Sequence, residues 1–442
     1  MPSGLFAPDF RTSVYWLDDT QPSAGTDPAT LPGRVDAVVI GSGLTGSSAA
    51  HELATAGRSV VVLDRGGIGE GASSRNAGML GKGSRQSYLL LAKAAGRDAA
   101  KSYFAELGAI YDEAVSRIES EGFDCSFRRS GRFIGALRPD HLERLIREYE
   151  ARADNLGEKV EIIRGTPEGV VGSQNYHGGV LLRDGAAVDP AAYTAAMIAR
   201  AGKAGAVFLG HTMAKGVRRA AAGFEVATSR GVIGCRNVVV ATNGYGGGEL
   251  PWAAARLVPI NAYMIATGEL PRDLIESVCP GNSTYVDSTR ANRYFQATPD
   301  GRRLVFGGRT GRRPPGPLSV VARRIHADMV DLFPQLAEAR IARVWAGRCA
   351  ASLDYAPHVA EHDGIHYAVG FSFTGLALAP YLGRLAGQWA ATGVRPQSVF
   401  ASDSFPAFPP GARFLRGFAG PIATRYFAWV DRPVPKAPAA VS

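Results

Sequence analysis

The chain is poor in cysteine, in lysine and in long apolar stretches. Its four cysteines, Cys125, Cys235, Cys279 and Cys349, lie far apart with no CxxC pair. That excludes a disulfide-dense secreted scaffold, offers no cysteine metal site, and makes a reducing cytoplasm the expected compartment. The strongest apolar runs, residues 35–40, 60–63 and 238–241, have the length of strands and fall far short of the roughly 20 residues of a membrane span. Residues 1–30 lack the charged start and apolar core of a signal peptide, so neither export nor a membrane partner is expected. No run of five or more like charges occurs, and only seven of the 49 basic residues are lysine. The net charge of +9 is spread over short pairs such as Arg128-Arg129, Arg302-Arg303 and Arg312-Arg313. It reads as a solvated face, with an anionic substrate or a nucleic-acid patch as the alternative, and no nucleic-acid partner is expected. The 54 glycines and 27 prolines follow no three-residue period, which excludes collagen-like and low-complexity chains.

What is present is a folded chain of 442 residues with 46% apolar and 20% charged residues, enough for two or three domains or one large interleaved unit. Residues 34–64 read as strand, turn, helix, strand, and the turn is Gly41-Ser42-Gly43-Leu44-Thr45-Gly46. A lone GxGxxG is weak evidence. Here it follows a β-rich run, opens a helix-forming stretch and precedes Asp64, 23 positions after Gly41, which is the context of a dinucleotide site. Gly41 permits the tight turn, Gly43 lets backbone approach a pyrophosphate, and Gly46 allows close helix–strand packing. The helix amino terminus supplies N–H groups, and Asp64 can accept from a ribose hydroxyl. Further along, Asp189-Pro190 opens a helix running to Ala204, and residues 207–209, 224–228 and 238–242 read as strands returning to the first sheet. Residues 89–153 are mostly helical, residues 294–306 form a hairpin around Pro299-Asp300-Gly301, and the segment after Val399 is aromatic and Pro-rich. His358, His362 and His366 recur every four residues, but Asp363-Gly364 between them is a hairpin turn signal. They are not expected to converge, and no metal is expected.

FAD and NAD sites share the glycine fingerprint, and the next segment separates them. Gly69-Glu70-Gly71-Ala72-Ser73-Ser74-Arg75-Asn76-Ala77-Gly78-Met79 resembles the GASxRNxG stretch of the D-amino-acid oxidase (DAO) superfamily of FAD enzymes. Ala241-Thr242-Asn243-Gly244-Tyr245, the 257–267 segment with Tyr263, residues 300–309, Trp345-Ala346-Gly347 and 352–357 are similar to further family segments, in the family's order. Gly370-Phe371-Ser372-Phe373-Thr374-Gly375 resembles its terminal GYSGHG loop. The branch most alike is that of gamma-glutamylputrescine oxidase and the sarcosine oxidases, and the resemblance covers roughly residues 10 to 430.

The resemblance implies an α/β fold: a Rossmann-type FAD-binding domain interleaved with an α+β substrate domain on a mixed sheet, the DAO/glutathione-reductase-2-like architecture. The expected division assigns residues 34–88, 155–255 and 340–398 to the flavin domain and 89–154 and 256–339 to the substrate domain. Residues 1–33 and 399–442 are then extensions. Noncovalent FAD is implied as cofactor, a small-molecule amine as substrate and O2 as electron acceptor, giving an imine and hydrogen peroxide. Cofactor contacts are implied for Gly41, Gly43, Leu44, Thr45, Gly46, Asp64, Arg65, Ser73, Ser74, Arg75, Asn76, Ala77, Gly78 and Met79. They are implied also for Ala214, Ala241, Thr242, Asn243, Gly347, Gly370, Phe371, Phe373, Thr374 and Gly375.

Several positions depart from the sarcosine oxidases. Their substrate-carboxylate lysine falls on Ala377 and their oxygen-activating lysine on Val305, which opens the alternative of a dehydrogenase passing electrons to a quinone or protein acceptor. Their flavin-linking cysteine falls on Gly347, and Cys349 takes the place of an active-site aromatic or is a buried inert thiol. Their active-site histidine falls on Arg309, which either contacts an anionic end of the substrate or forms a surface ion pair. Phe373-Thr374 replaces Gly-His, so Phe373 either walls a pocket for a bulkier substrate or packs under the loop. Tyr263, Arg309, Cys349, Phe373 and Thr374 are the catalytic candidates. A remote alternative is a flavoprotein acting on RNA, since a tRNA-modifying enzyme shares this fold.

Overall fold

In the computed structural model, residues 4–20, 30–289, 293–311, 316–401 and 405–409 are described. Arg34–Ile40 and Val60–Leu63 pair in parallel, Ala37 opposite Val60 and Ile40 opposite Leu63, with the helix Leu44–Thr55 crossing between them. Ala37 to Ile40 and all of Val60–Leu63 are buried, as strands covered on both faces should be. Val207–Leu209 extends the parallel sheet on one side, and Val232–Val240 followed by Ile365–Val369 extend it on the other. A meander of Ala214–Ala220 and Gly223–Thr228 leads into Val232–Val240. This eight-stranded sheet is the Rossmann-type layer. The Asp363-Gly364 turn between the last two strands has positive φ at both residues, 51° and 77°, the requirement of the type I′ hairpin. His358 and His366 are buried on separate strands beside it, and no metal-binding cluster occurs among the described residues.

The second sheet is nine-stranded and mixed. Its middle is the antiparallel run Ile341–Ser352, Leu257–Thr267, Leu304–Gly311, Tyr294–Ala297 and Thr284–Asp287, and Arg132–Gly135 joins Thr284–Asp287 in parallel. One face packs on the helix Leu318–Leu332 through Tyr263, Ile265, Phe306 and Val344. The other carries Met264, Ala266, Val305 and Trp345 toward the flavin domain. Successive strand residues point to opposite faces, so this alternation decides which side chains can reach anything between the two sheets.

The domain division differs from the expected one at four places. Val160–Arg164 and Gly178–Leu182 pair with each other and with Arg132–Gly135, so residues up to about 182 belong to the mixed sheet rather than to the flavin domain. Ile341–Ser352 likewise lies in the mixed sheet, and Phe6–Arg11 of the amino-terminal extension is its edge strand. The helices Tyr88–Ala95 and Arg97–Ser120 bury Tyr88, Phe104, Leu107 and Tyr111 in the flavin-domain core beside Leu53 and Leu382, not in the substrate domain. Helical periodicity shows that one face is apolar, but it carries no information about which sheet that face covers. Of the carboxy-terminal segment, Phe400 and Phe405 are buried against the body, whereas Tyr426 and Phe427 lie outside the described residues.

The helices Leu44–Thr55 and Gly375–Thr392 pack closely. A Cβ on Gly383 would stand 2.2 Å from the Thr45 carbonyl oxygen, and one on Gly387 would stand 2.6 Å from that of Ala49. Both helices aim their amino termini at the gap between the sheets. No described helix is long and apolar enough to cross a membrane.

Candidate active site

The gap holds a cavity of about 610 Å³ whose wall draws on both sheets. At one end lies the glycine turn. Gly41 has φ 108°, and a Cβ there would stand 2.8 Å from the Ala241 carbonyl oxygen, while one on Gly46 would stand 1.7 Å from that of Gly41. The turn therefore closes only with glycine at both positions. Gly41, Gly43, Leu44 and Thr45 line the cavity; Gly46 lies behind the wall. The Leu44 N–H donates to Ser73 Oγ at 3.0 Å. A hydroxyl that accepts there keeps its proton to donate to an anion, and the helix amino terminus adds partial positive charge.

Asp64 lines the same end, with its carboxylate bound back onto the turn. Oδ2 accepts from the Ser42 N–H at 3.0 Å and the Ser42 hydroxyl at 2.6 Å, Oδ1 accepts from the Gly66 N–H at 3.0 Å, and the Gly69 N–H donates to Ser42 Oγ at 2.9 Å. Oδ1 keeps a lone pair for a ribose hydroxyl. Arg65 lines the wall beside Glu249, 3.5 Å away, with Ala214 nearby. Ala241, Thr242 and Asn243 close this region, and Asn243 Oδ1 accepts from the Gly370 N–H at 3.0 Å. Gly370 itself is off the wall.

The 69–79 loop divides into residues that face the cavity and residues that hold its shape. Ser73, Arg75, Asn76, Ala77 and Met79 line the wall, whereas Ser74 and Gly78 do not. Ser74 is buried and donates to the Gly69 carbonyl; Asn76 donates to the carbonyls of Ala72 and Ser73 and accepts from the Gly78 N–H. Arg75 is among the implied cofactor contacts. Its guanidinium instead spans the carbonyls of Glu70, Gly71 and Ala346, and the Trp345 indole donates to the Arg75 carbonyl at 2.9 Å. This arginine ties the loop to the mixed sheet. Gly347 leaves room for it: a Cβ there would stand 3.3 Å from the Arg75 stem.

At the other end are the amino terminus of Gly375–Thr392 and the mixed sheet. Ser372 and Phe373 have φ of 47° and 73°, a conformation costly for such residues. The Ser372 N–H is held by the Ala350 carbonyl and the Thr374 N–H by that of Phe371. Phe371, Phe373, Thr374 and Gly375 all line the cavity. Phe373 is 37% exposed, with the Arg85 guanidinium 5.1 Å from its ring centre, so it walls the pocket rather than packing under the loop. Cys349 also lines the wall; its thiol donates to the Ile260 carbonyl, and burial pushes its pKa up to about 12.

Two catalytic candidates fare differently. Tyr263 is buried on the helix-covered face of the mixed sheet, while its neighbours Ala262 and Met264 line the cavity. A one-residue parity error put the wrong side chain in the site. Arg309 lies on the Leu304–Gly311 strand, but its side chain is outside those described. The sequence reading also missed Ser42, Lys82, Arg85, Arg132, Tyr149 and the Arg152–Glu158 pair, all on the wall. Lys82 and Arg85 sit close enough after the recognised loop to have been included. Nothing in the local sequence marks Arg132.

The wall fits a flavin dinucleotide on two structural counts. The glycine turn and helix terminus form a cradle that any Cβ would fill, and the Thr242 hydroxyl is buried on the wall with no hydrogen-bond partner, an arrangement that calls for a polar ligand.

Comparison with known proteins agrees. The family model described as "FAD dependent oxidoreductase" (DAO) matches residues 36–389. The chain is 29% identical over 426 residues to "probable oxidoreductase OrdL" of Rhizobium meliloti, covering 94% of this chain and 97% of that protein. It is 29% identical over 444 residues to gamma-glutamylputrescine oxidoreductase of Escherichia coli, covering 96% and 99%. Among solved structures, glycine oxidase from Geobacillus kaustophilus superposes with TM-score 0.69 at 21% identity, covering 86% of this chain and all of that one, a likeness of fold.

Proposed function

The chain belongs to the DAO family of FAD-dependent oxidoreductases, and from that premise we propose that it oxidises the C–N bond of an amine or amino acid. A polyamine derivative or N-substituted amine is the favoured substrate, and O2 the acceptor. The observation that carries the reading is one cavity running from the glycine turn to the mixed sheet, with relatives named for amine and amino-acid oxidation. Bound FAD supplies a two-electron acceptor for the carbon beside the amine nitrogen.

The residues divide the remaining work. Ser73, the Leu44–Thr55 amino terminus and the Thr242 hydroxyl would hold pyrophosphate and neighbouring polar groups, and Asp64 a ribose. The amino terminus of Gly375–Thr392 lines the cavity and would lend partial positive charge to a bound flavin. Phe373, Met264, Ile134 and Tyr294 wall the reacting chamber, limiting water around the amine and holding its carbon in place. Noncovalent attachment is supported by Gly347, which carries no nucleophile, and by Cys349, whose thiol stays protonated.

A second reading, electron transfer to a quinone or protein acceptor, is favoured by Val305. It is fully buried among Met264, Ala266 and Trp345 and offers no charge to O2. The test is acid precipitation of the purified protein followed by peroxide assay across polyamines, N-methyl amines and amino acids. The proposal expects free FAD in the supernatant and peroxide from one amine class. Flavin reduction without peroxide moves the assignment to the dehydrogenase.

A further inference from the structure

The 69–79 loop is held from behind by donors that do not themselves line the cavity. Four consecutive carbonyls are taken. That of Arg75 accepts from the Trp345 indole N–H at 2.9 Å, that of Asn76 from the Trp16 indole N–H at 2.9 Å, that of Ala77 from the Gln296 side-chain amide, and that of Gly78 from the Val188 N–H at 2.9 Å. A terminal nitrogen of Arg128 donates to Gln296 Oε1 at 2.9 Å, which fixes the end of that amide facing Ala77. The N–H and C=O of a trans peptide point in opposite directions, so the N–H groups of Asn76 and Ala77 are turned away from the two indoles. Both residues line the cavity, and neither N–H has an acceptor among the described residues.

One of these donors comes from the amino-terminal extension. Trp16 lies in the short turn Tyr15–Leu17 and is buried with Val14 against Met264, Ala266, Val305 and Trp345. The extension is fastened independently of the loop. Phe6–Arg11 pairs with Ile341–Ser352, and the buried Arg343 of that strand meets Asp9 at 3.2 Å and Asp18 at 2.8 Å. Strand pairing and two ion pairs therefore fix where Trp16 stands, so its indole can hold the loop rather than follow it. A flip of the peptide after Arg75 or the one after Asn76 would strand a buried indole N–H, which is unfavourable.

We propose that Trp16 is a positioning residue of the flavin site. Acting through the Asn76 carbonyl, and together with Trp345, it keeps the N–H groups of Asn76 and Ala77 turned to the cavity for the cofactor, so FAD binding depends on the amino-terminal extension. The inference concerns the cofactor alone and holds for an oxidase and a dehydrogenase alike, whichever amine is oxidised.

The test titrates the stripped full chain with FAD by fluorescence, and records the visible absorption of the loaded protein and the Tm of the stripped one. Trp16→Phe keeps most of the buried bulk and removes the N–H. It is expected to weaken FAD binding by about three- to tenfold, the effect of one hydrogen bond, and to shift the flavin absorption band. Trp345→Phe should act alike, and the double variant should lose less than the product of the two factors, because both indoles act on one loop. Leu336→Ala, in the helix-covered core, isolates the effect of lost stability: its Tm should fall while FAD affinity and the flavin band hold. Where Trp16→Phe does not fold, Asp18→Asn carries the test, since it keeps Trp16 but loosens its anchor, and FAD affinity should fall by about twofold or more. A Trp16→Phe protein, or an Asp18→Asn protein in its place, that binds FAD like wild type with the same flavin band overturns the assignment, whatever its Tm.

Discussion

The Ser42 hydroxyl donates to Asp64 Oδ2 at 2.6 Å while its own backbone N–H reaches the same oxygen at 3.0 Å. The middle residue of the glycine turn is thus clamped to the carboxylate that ends the next strand. Hydrogen bonds to a charged group contribute about 1.5–3 kcal/mol. Ser42→Ala, which also strands the Gly69 N–H, should weaken FAD binding by about tenfold or more, measured by fluorescence titration of the stripped protein.

Thr242 behaves in the opposite sense without cofactor. Its hydroxyl is buried and unpartnered, so Thr242→Val should leave the flavin-free protein as stable as wild type or more so, with Tm unchanged or raised. FAD affinity should fall by about three- to tenfold, the cost of one lost hydrogen bond.

Packing at the turn tolerates no added atom. Gly46→Ala puts a methyl 1.7 Å from the Gly41 carbonyl oxygen, which only backbone movement can relieve. Overpacking of this kind costs about 1–3 kcal/mol, and at this site it should also abolish flavin retention through gel filtration.

Acid sensitivity follows from His366. Burial lowers its pKa from 6.5 to about 4, so the folded protein keeps it neutral where the unfolded chain would protonate it. Stability is then full above pH 6.5 and is lost progressively as pH falls toward 4. His366→Leu removes this titration, and its Tm should fall less than that of wild type between pH 7 and 5.

All four thiols are free, and burial pushes each pKa up: Cys235 to about 11, Cys125 and Cys349 to about 12, and Cys279 further. A thiol reagent at pH 8 should find none of them reactive in the native protein within minutes and all four after denaturation.

The glycine fingerprint was legible because its chemistry is local: turn, helix start and acidic strand end lie within one βαβ unit. The family segments extended that reading along the chain, yet roles inside them were not legible. Arg75, Ser74 and Asn76 look like ligand donors in sequence but donate to backbone carbonyls of the loop and, for Arg75, of the mixed sheet, a matter of rotamer and loop path. Tyr263 failed on strand parity, because residues 257–267 are apolar on both faces and no alternation marks the cavity side. Residues 160–182 and the helices of 88–120 were placed with the wrong domain because pairing between distant segments depends on the whole topology. Arg132 was invisible for the same reason, since only the pairing of its strand brings it to the cavity wall.

The most direct test of the account is anaerobic mixing of the purified, FAD-loaded protein with an amine panel that includes amines bearing a carboxylate, followed by the flavin's visible absorption. Bleaching of the oxidised flavin band by at least one amine of the panel, restored on admitting air, is the predicted result. A flavin that chemical reductant bleaches but no amine does would contradict it.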